Sequence, residues 1–354
     1  MAKLFGKEYT REELLKRTGN LSQVGGLSEI TYRSGRAKGV DAIDVNVGDL
    51  KFTILNSRCL DIGQASFKGY PFGYISKSGL RNPAYFQENG AIGFLDGFYG
   101  GLLTTSGLNN VGTDCVVDER EYGLHGEIAN IPAEKVSVRE NWEDDELLIE
   151  ISGIIRHSRF YAEDLVMERK IKTCLGSNKI NIIDTVENRD FAQVPLMLLY
   201  HINLGFPFLD SHSKLMIPHV EKSWARTESA KKGLDTFDTF SEPVDGIEEE
   251  CFYHAIHAPD NQAQVCLFNP DLGMKGMGVY LKYSTEQLPV FLEWKMMRSR
   301  EYVCGFAPST APLEGRLDVL ERGEAIFIEP MQKKCFEIEI GITEEWNEKN
   351  YKKF

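Results

Sequence analysis

The chain has 354 residues, of which 42% are hydrophobic, and 53 acidic side chains against 40 basic ones give a net charge of −13. That length and composition suffice to bury a sizeable core, which excludes disorder over most of the chain. The acidic balance lacks the clustered Lys and Arg that a nucleic-acid backbone or an anionic membrane surface requires, so neither partner is expected.

The opening "MAKLFGKEYTREELLKRTG" is polar and charged, without the apolar stretch of a secretory signal. Within it "REELLKRT", residues 11 to 18, predicts a short amphipathic helix, so residues 1–24 are read as a helical N-terminal extension. No run of about 18 apolar residues predicts a membrane span. Seven cysteines, at 59, 115, 174, 251, 266, 304 and 335, form no CxxC pair. An odd number of scattered thiols predicts reduced cysteines and a cytoplasmic location.

After the helix the pattern becomes β-like. "GVDAIDVNVGDLKFTILNS" alternates apolar and polar residues around the turn signal Gly48-Asp49. Between Lys135 and Asp190 at least four strand-like runs are separated by "EDDE", "AED" and "GSN", a hairpin rhythm of one strand per about 10 to 12 residues. "LMLLYHINLGF", "QAQVCLFNP", "MGVYLKYST" and "PVFLEWKMM" continue it, and "KCFEIEIGI" predicts the last strand. Residues 221 to 250 are acidic with few strand signals and read as a long excursion. The expectation is one all-β domain, residues 25–345, of many antiparallel strands.

Three places carry candidate chemistry. In "LLYHINLGFPFLD" His201 and Asn203 share one face of an apolar strand. In "YGLHGEIANIPAE" His125 lies in a loop beside Gly126. In "LPVFLEWKMM" Glu293 interrupts an apolar strand, with Lys295 on its face. Each has a plain structural explanation: a hydrogen-bonded core histidine, a turn residue and a same-face ion pair. Together, an imidazole and a carboxylate in an apolar cleft make an acid/base pair whose pKa values are tuned by their surroundings. Such a pair needs neither metal nor cofactor. His254 and His257 are spaced to opposite faces of a strand and read as structural. The sequence has no GxxxxGK[ST] loop, no strand-linked GxGxxG and no GxSxG elbow.

"SRCLDIGQASFKG", "GGLLTTSGLNNVG", "LHGEI", "LLYHINLGFPFLD" and "LEWKMM", in this order, resemble the aldose 1-epimerase (galactose mutarotase-like) superfamily, in its DUF4432-type branch. The resemblance runs from about residue 25 to residue 340. It implies a galactose mutarotase-like β-sandwich, or supersandwich, that binds a free carbohydrate without a cofactor. It implies His201 as general acid, Glu293 as general base and His125 as a second, sugar-holding histidine. It further implies Arg58 and Asp61 as sugar-binding positions. Asn203 is read as orienting His201 or holding a hydroxyl, and Lys295 as favouring the carboxylate form of Glu293 or lying apart as a surface charge. Among aromatic candidates for stacking on a sugar are Trp294, Phe206, Phe208 and Tyr99, with core packing as the alternative. Two other readings stay open: an isomerase or epimerase of a modified or acidic sugar, with Lys77 and Arg81 holding its charge, and a non-catalytic sugar-binding protein. A homo-oligomer is compatible with either.

Overall fold

A computed structural model gives the architecture and describes residues 1–344. Three antiparallel sheets carry it. Eight strands run in the order Glu134–Glu143, Glu146–Ser158, Asp164–Cys174, Lys179–Asn188, Lys333–Thr343, Met277–Ser284, Gln262–Asn269 and Lys214–Met216. Six run in the order Leu103–Leu108, Met197–Leu204, Glu301–Ser309, Val290–Arg298, Glu250–Ile256 and Val220–Ala225. A five-stranded meander covers Gly26–Thr31, Asp41–Asn46, Leu50–Leu55, Asp61–Phe67 and Tyr70–Pro71. The strand-rich expectation therefore holds, and the arrangement is a β-sandwich of the galactose mutarotase-like kind.

The hairpin rhythm of residues 135–190 becomes the long strands of the eight-stranded sheet, paired edge to edge in sequence. Their alternating burial sends Ile149, Ile151, Ile171, Ile180 and Ile182 inward. These pack in one cluster with Tyr200, Phe291 and Phe306 of the six-stranded sheet and Ile43 and Ile54 of the meander, where apolar burial contributes about 25 cal/mol per Å². The strand Met197–Leu204 is buried along its whole length, because it has packed layers on both faces.

Helix Arg11–Arg17 forms where expected. Thr10 and Glu13 close a capping box at its start, and Leu14 is its buried residue. Two short strands before it, Ala2–Leu4 and Lys7–Tyr9, pair with each other. They were not legible as strands, being three residues each. Ala2, Leu4 and Leu14 pack on Leu147 and Leu175. Among the described residues no helix is long and apolar enough to cross a membrane.

A buried polar knot joins all three sheets. Arg169 donates to Asp184 through Nε (2.9 Å) and Nη2 (2.6 Å), and to Asp61 through Nη1 (3.0 Å). Tyr200 Oη donates to Asp184 (2.8 Å), and the Thr105 hydroxyl donates to Asp61 (2.6 Å). Fixed forks of this kind suit Arg rather than Lys. Burial raises the Asp61 pKa to about 6, although Arg169 and the Thr105 donors pull against it.

Candidate functional site

The six-stranded sheet separates its two faces residue by residue. In one cross-strand row Ile202 lies opposite Phe306, Phe306 opposite Glu293, and Glu293 opposite Phe252. In the next row Asn203 lies opposite Gly305, Gly305 opposite Trp294, and Trp294 opposite Cys251. Side chains in neighbouring rows point to opposite faces. The first row faces the sandwich core, where Ile202 and Phe306 sit. The second faces outward into a cleft.

That cleft has a volume of about 320 Å³, and its lining includes His125, His201, Arg226, Glu249, Cys251 and Trp294. Phe94, Leu95 and Phe98 form one wall. A larger depression of about 470 Å³ lies on the meander, against Asp44, Lys51, Gln64 and Ser66. It gathers no imidazole and no aromatic box, so the smaller cleft is the candidate site.

His201 is held among rings, with Trp294, Phe98 and His125 at centroid distances of 5.3, 5.6 and 5.8 Å. Gly305 makes this approach possible, since a Cβ there would lie 3.1 Å from the Trp294 ring and 3.2 Å from His201 Cε1. The His201 Nδ1 is buried without a hydrogen-bond partner. Desolvation lowers the His201 pKa to about 4, against the opposing pull of the Asn203 side chain. Its imidazole is therefore neutral at neutral pH.

His125 is fixed by its backbone. It adopts φ 58°, a left-handed conformation that histidine tolerates better than most residues. Its N–H donates to Gly112 O (2.9 Å), and its carbonyl accepts from the Gly107 N–H (2.9 Å). The Gly112 N–H then donates to His125 Nδ1 (3.2 Å), which leaves the ring proton on Nε2. Position 112 requires glycine, because a Cβ would meet Leu313 O at 1.7 Å and φ is +77°. Burial first, then His201 and Arg226, lower the His125 pKa to about 3.

Two charged residues of the cleft were missed by sequence reasoning. Arg226 directly follows strand Val220–Ala225, and Glu249 directly precedes strand Glu250–Ile256. They bound the connection 226–249, shorter than the excursion expected over residues 221–250, because residues 221–225 pair as a strand with the one that starts at Glu250. Trp294 Nε1 donates to Glu249 Oε2 (2.8 Å). Arg226 Nη2 donates to Leu313 O (2.8 Å) and to the Thr113 hydroxyl (3.2 Å), while Nε lies 3.4 Å from Glu314. No periodicity marks either residue. The available signal was position alone: a charge at each junction of the excursion with a strand.

The expected site residues divide into two groups. His125, His201 and Trp294 meet in the cleft. Asn203 lies on the same sheet face as His201 and in the row of Trp294, is fully buried, and donates from Nδ2 to the His201 carbonyl (3.0 Å). Glu293 does not join them. It points into the core, fully buried, with Oε2 3.2 Å from His254 Nε2, and burial holds its carboxyl well above the usual range despite Lys295. The reason is alternation: Leu292 and Trp294 line the cleft, so the residue between them faces away. Lys295 shares the Glu293 face and binds Glu250 (3.3 Å) and Thr236 O (3.1 Å).

Asp61 is committed to the knot, and Arg58 donates to Arg81 O (3.0 Å) and Gly97 O (3.5 Å) behind the cleft wall. Tyr99 and Phe208 are core residues, and Phe206 is exposed away from the cleft lining. Lys77 pairs with Glu301, and neither it nor Arg81 lines the cleft. His254 is structural in geometry, with its Nδ1 2.8 Å from the Ser223 hydroxyl. Among the described residues no group of three or more His, Cys, Asp and Glu side chains is arranged to hold a metal ion.

Residues 37–342 match the model of the family "Domain of unknown function (DUF4432)". The chain belongs to the DUF4432 family. Its fold is similar to that of a "putative aldose 1-epimerase" from Klebsiella pneumoniae subsp. pneumoniae MGH 78578, at TM-score 0.83 and 22% identity over 90% of this chain and 88% of that one. A galactose mutarotase-like protein from Clostridium acetobutylicum matches at TM-score 0.61 and 15% identity over 91% and 99%. Galactose 1-epimerase from Lactobacillus acidophilus NCFM matches at TM-score 0.56 and 11% identity over 91% and 100%. At these identities the DUF4432 chain and its neighbours share a fold. No curated protein matches the sequence.

Proposed function

We propose that the cleft binds a free sugar and interconverts its anomers, as an aldose 1-epimerase-like isomerase. The observation that carries this reading is the convergence of His201, His125 and the indole-held carboxylate of Glu249 on one small aromatic-walled cavity. The Trp294 and Phe98 rings suit the CH faces of a sugar. His125 Nε2–H holds a hydroxyl. Glu249 takes the C1 hydroxyl proton, the imidazolium form of His201 gives a proton to the ring oxygen, and the C1–O bond breaks to an aldehyde. Rotation about C1–C2 and the reverse transfers close the other anomer. Glu249 thus takes the role that the resemblance implied for Glu293.

The test is proton NMR of freshly dissolved pure anomers, across a panel of aldoses, with and without protein. Catalysed exchange of at least one sugar supports the reading, and no exchange with any sugar overturns it. One observation favours a second reading, a sugar-binding protein without chemistry. The sheet positions around His201 on the cleft face are Leu199, Thr104, Asn203, Ala307 and, one strand on, Leu292, so no strand residue next to the imidazole supplies a carboxylate. Sugar binding without exchange would establish that reading.

A further inference from the structure

The charges of the cleft do not balance. Arg226 has partners of its own: two hydrogen-bond acceptors on Nη2, and the charge of Glu314 3.4 Å from Nε, which makes no hydrogen bond. Glu314 is in turn held by the Tyr253 hydroxyl at 3.0 and 3.1 Å. Glu249 has no such closure. Its Oε2 accepts a hydrogen bond from a neutral indole, and among the described residues no cation pairs with it. The two imidazoles add no positive charge at neutral pH. Arg226 thus has its counter-charge in Glu314, behind the cleft lining, while Glu249 is a carboxylate with no counter-charge, beside the aromatic faces of Trp294 and Phe98, within a chain of net charge −13.

We propose that the cleft selects a sugar bearing a protonated amine over its neutral and acidic counterparts, with Glu249 as the partner of the ammonium. The inference rests on the sugar-binding reading above and names its substrate class. Because Glu249 acts there at the C1 hydroxyl, the amine belongs on the neighbouring carbon, as in a 2-amino-2-deoxy aldose. An ammonium gains a charge-assisted hydrogen bond to Glu249 and attraction from the aromatic faces. A uronate meets the same carboxylate as a like charge, and the acidic surface repels it before contact. The guanidinium of Arg226 does not reverse this preference, since its charge is already met by Glu314.

The experiment is calorimetric titration of the intact protein at pH 6 and low salt with glucosamine, glucose and glucuronate, and with the galactose-series equivalents. In one series at least, the amino sugar should bind about tenfold tighter than the neutral sugar, and the uronate weaker than both. Raising the salt concentration should narrow the gap between amino and neutral sugars, because a partly exposed ion pair is screened. Glu249→Gln, at an exposed position, should bring that gap below about twofold and relieve the discrimination against the uronate. Equal binding of neutral and amino sugars, tighter binding of the uronate, or a gap unchanged in Glu249→Gln would overturn the proposal while leaving a sugar cleft intact. Binding of none of the panel by folded protein would remove the sugar reading itself, and this one with it.

Discussion

At the scale of single residues, the His201–Glu249 pair needs one proton between them to open a sugar ring. With the His201 pKa lowered to about 4 by burial, the imidazolium is a small fraction at pH 7 and grows as the pH falls. Catalysed exchange should therefore rise as the pH is lowered from 8 to 5, by up to about tenfold per unit. A rate that falls over this range would show that the donor is not the His201 imidazolium. Substitution separates the two glutamates. His201→Asn and Glu249→Gln should each lower exchange by roughly 10²-fold or more, the usual size of an acid/base contribution. Glu293→Gln should change it by less than about threefold, since its side chain faces the core. Anomer exchange measured by NMR on the three variants checks the assignment, and loss of exchange in Glu293→Gln alone would restore that residue to the site. His201 was legible because an imidazole interrupts an apolar strand, whereas Trp294 was one of four aromatic candidates that nothing in the sequence told apart from core residues. The face of Glu293 was equally legible from its neighbours, Leu292 and Trp294, but a carboxylate in an apolar strand drew attention to itself instead.

At the scale of elements, the excursion 226–249 is what completes the cleft, and the strand Val290–Arg298 secures it from the far side. Lys295 ties Glu250 and Thr236 O to the sheet. The Thr227 hydroxyl accepts from the Cys251 N–H (3.2 Å), and the Arg226 N–H donates to Cys251 O (2.8 Å). Lys295→Met should leave Glu250 without its cation and cost roughly 1–3 kcal/mol. It should also weaken sugar binding through Glu249, and Lys295→Arg should recover part of both. Denaturant titration and calorimetry on the two variants provide the check; normal sugar affinity in Lys295→Met would disconnect Lys295 from the cleft. Glu293 permits a cleaner stability test. Its ordinary pKa is 4.5 and burial raises it well above that, so the unfolded chain ionises this group while the folded protein keeps the proton. Wild-type stability from this group is full below pH 4.5 and lost as the pH rises toward the folded value. Glutamine cannot ionise. The melting temperature of Glu293→Gln relative to wild type should therefore climb between pH 5 and 8, and a difference that shrinks with pH would mean the carboxylate is ionised in the core. The excursion, read over residues 221–250 from its acidity and lack of strand pattern, begins too early, because residues 221–225 belong to strand Val220–Ala225 at the sheet edge. What it positions was not legible, because the location of a loop end is decided by strand pairings far away in sequence.

At the scale of the whole molecule, the knot of Arg169, Asp61, Asp184, Tyr200 and Thr105 fastens the three sheets to one another. Arg169→Met leaves two buried carboxylates without their cation and should cost about 3–5 kcal/mol, measured as a shift of the denaturation midpoint. A loss under about 1 kcal/mol would show that the sheets are held by apolar packing alone. That the chain folds into many antiparallel strands followed from alternation and turn residues. The order of strands within each sheet did not, since Leu103–Leu108 pairs with Met197–Leu204 across nearly a hundred intervening positions, and periodicity carries no information about partners. Asp61 illustrates the difference in kind: its type suggested a ligand contact, and its surroundings make it a fastening.

The six-stranded sheet gives its two faces to different tasks, and neighbouring positions along the chain therefore answer to different demands. Tyr200 belongs to the fastening and His201 to the cleft; Glu293 belongs to the core and Trp294 to the cleft. A complete substitution scan across residues 200–202 and 291–294, where His201, Leu292 and Trp294 line the cleft, scored separately for abundance and for sugar binding, should show a two-beat pattern, the scores trading places at each step. A lineage of such proteins can thus retune what the cleft accepts by changing every second residue, with the sandwich behind it left undisturbed.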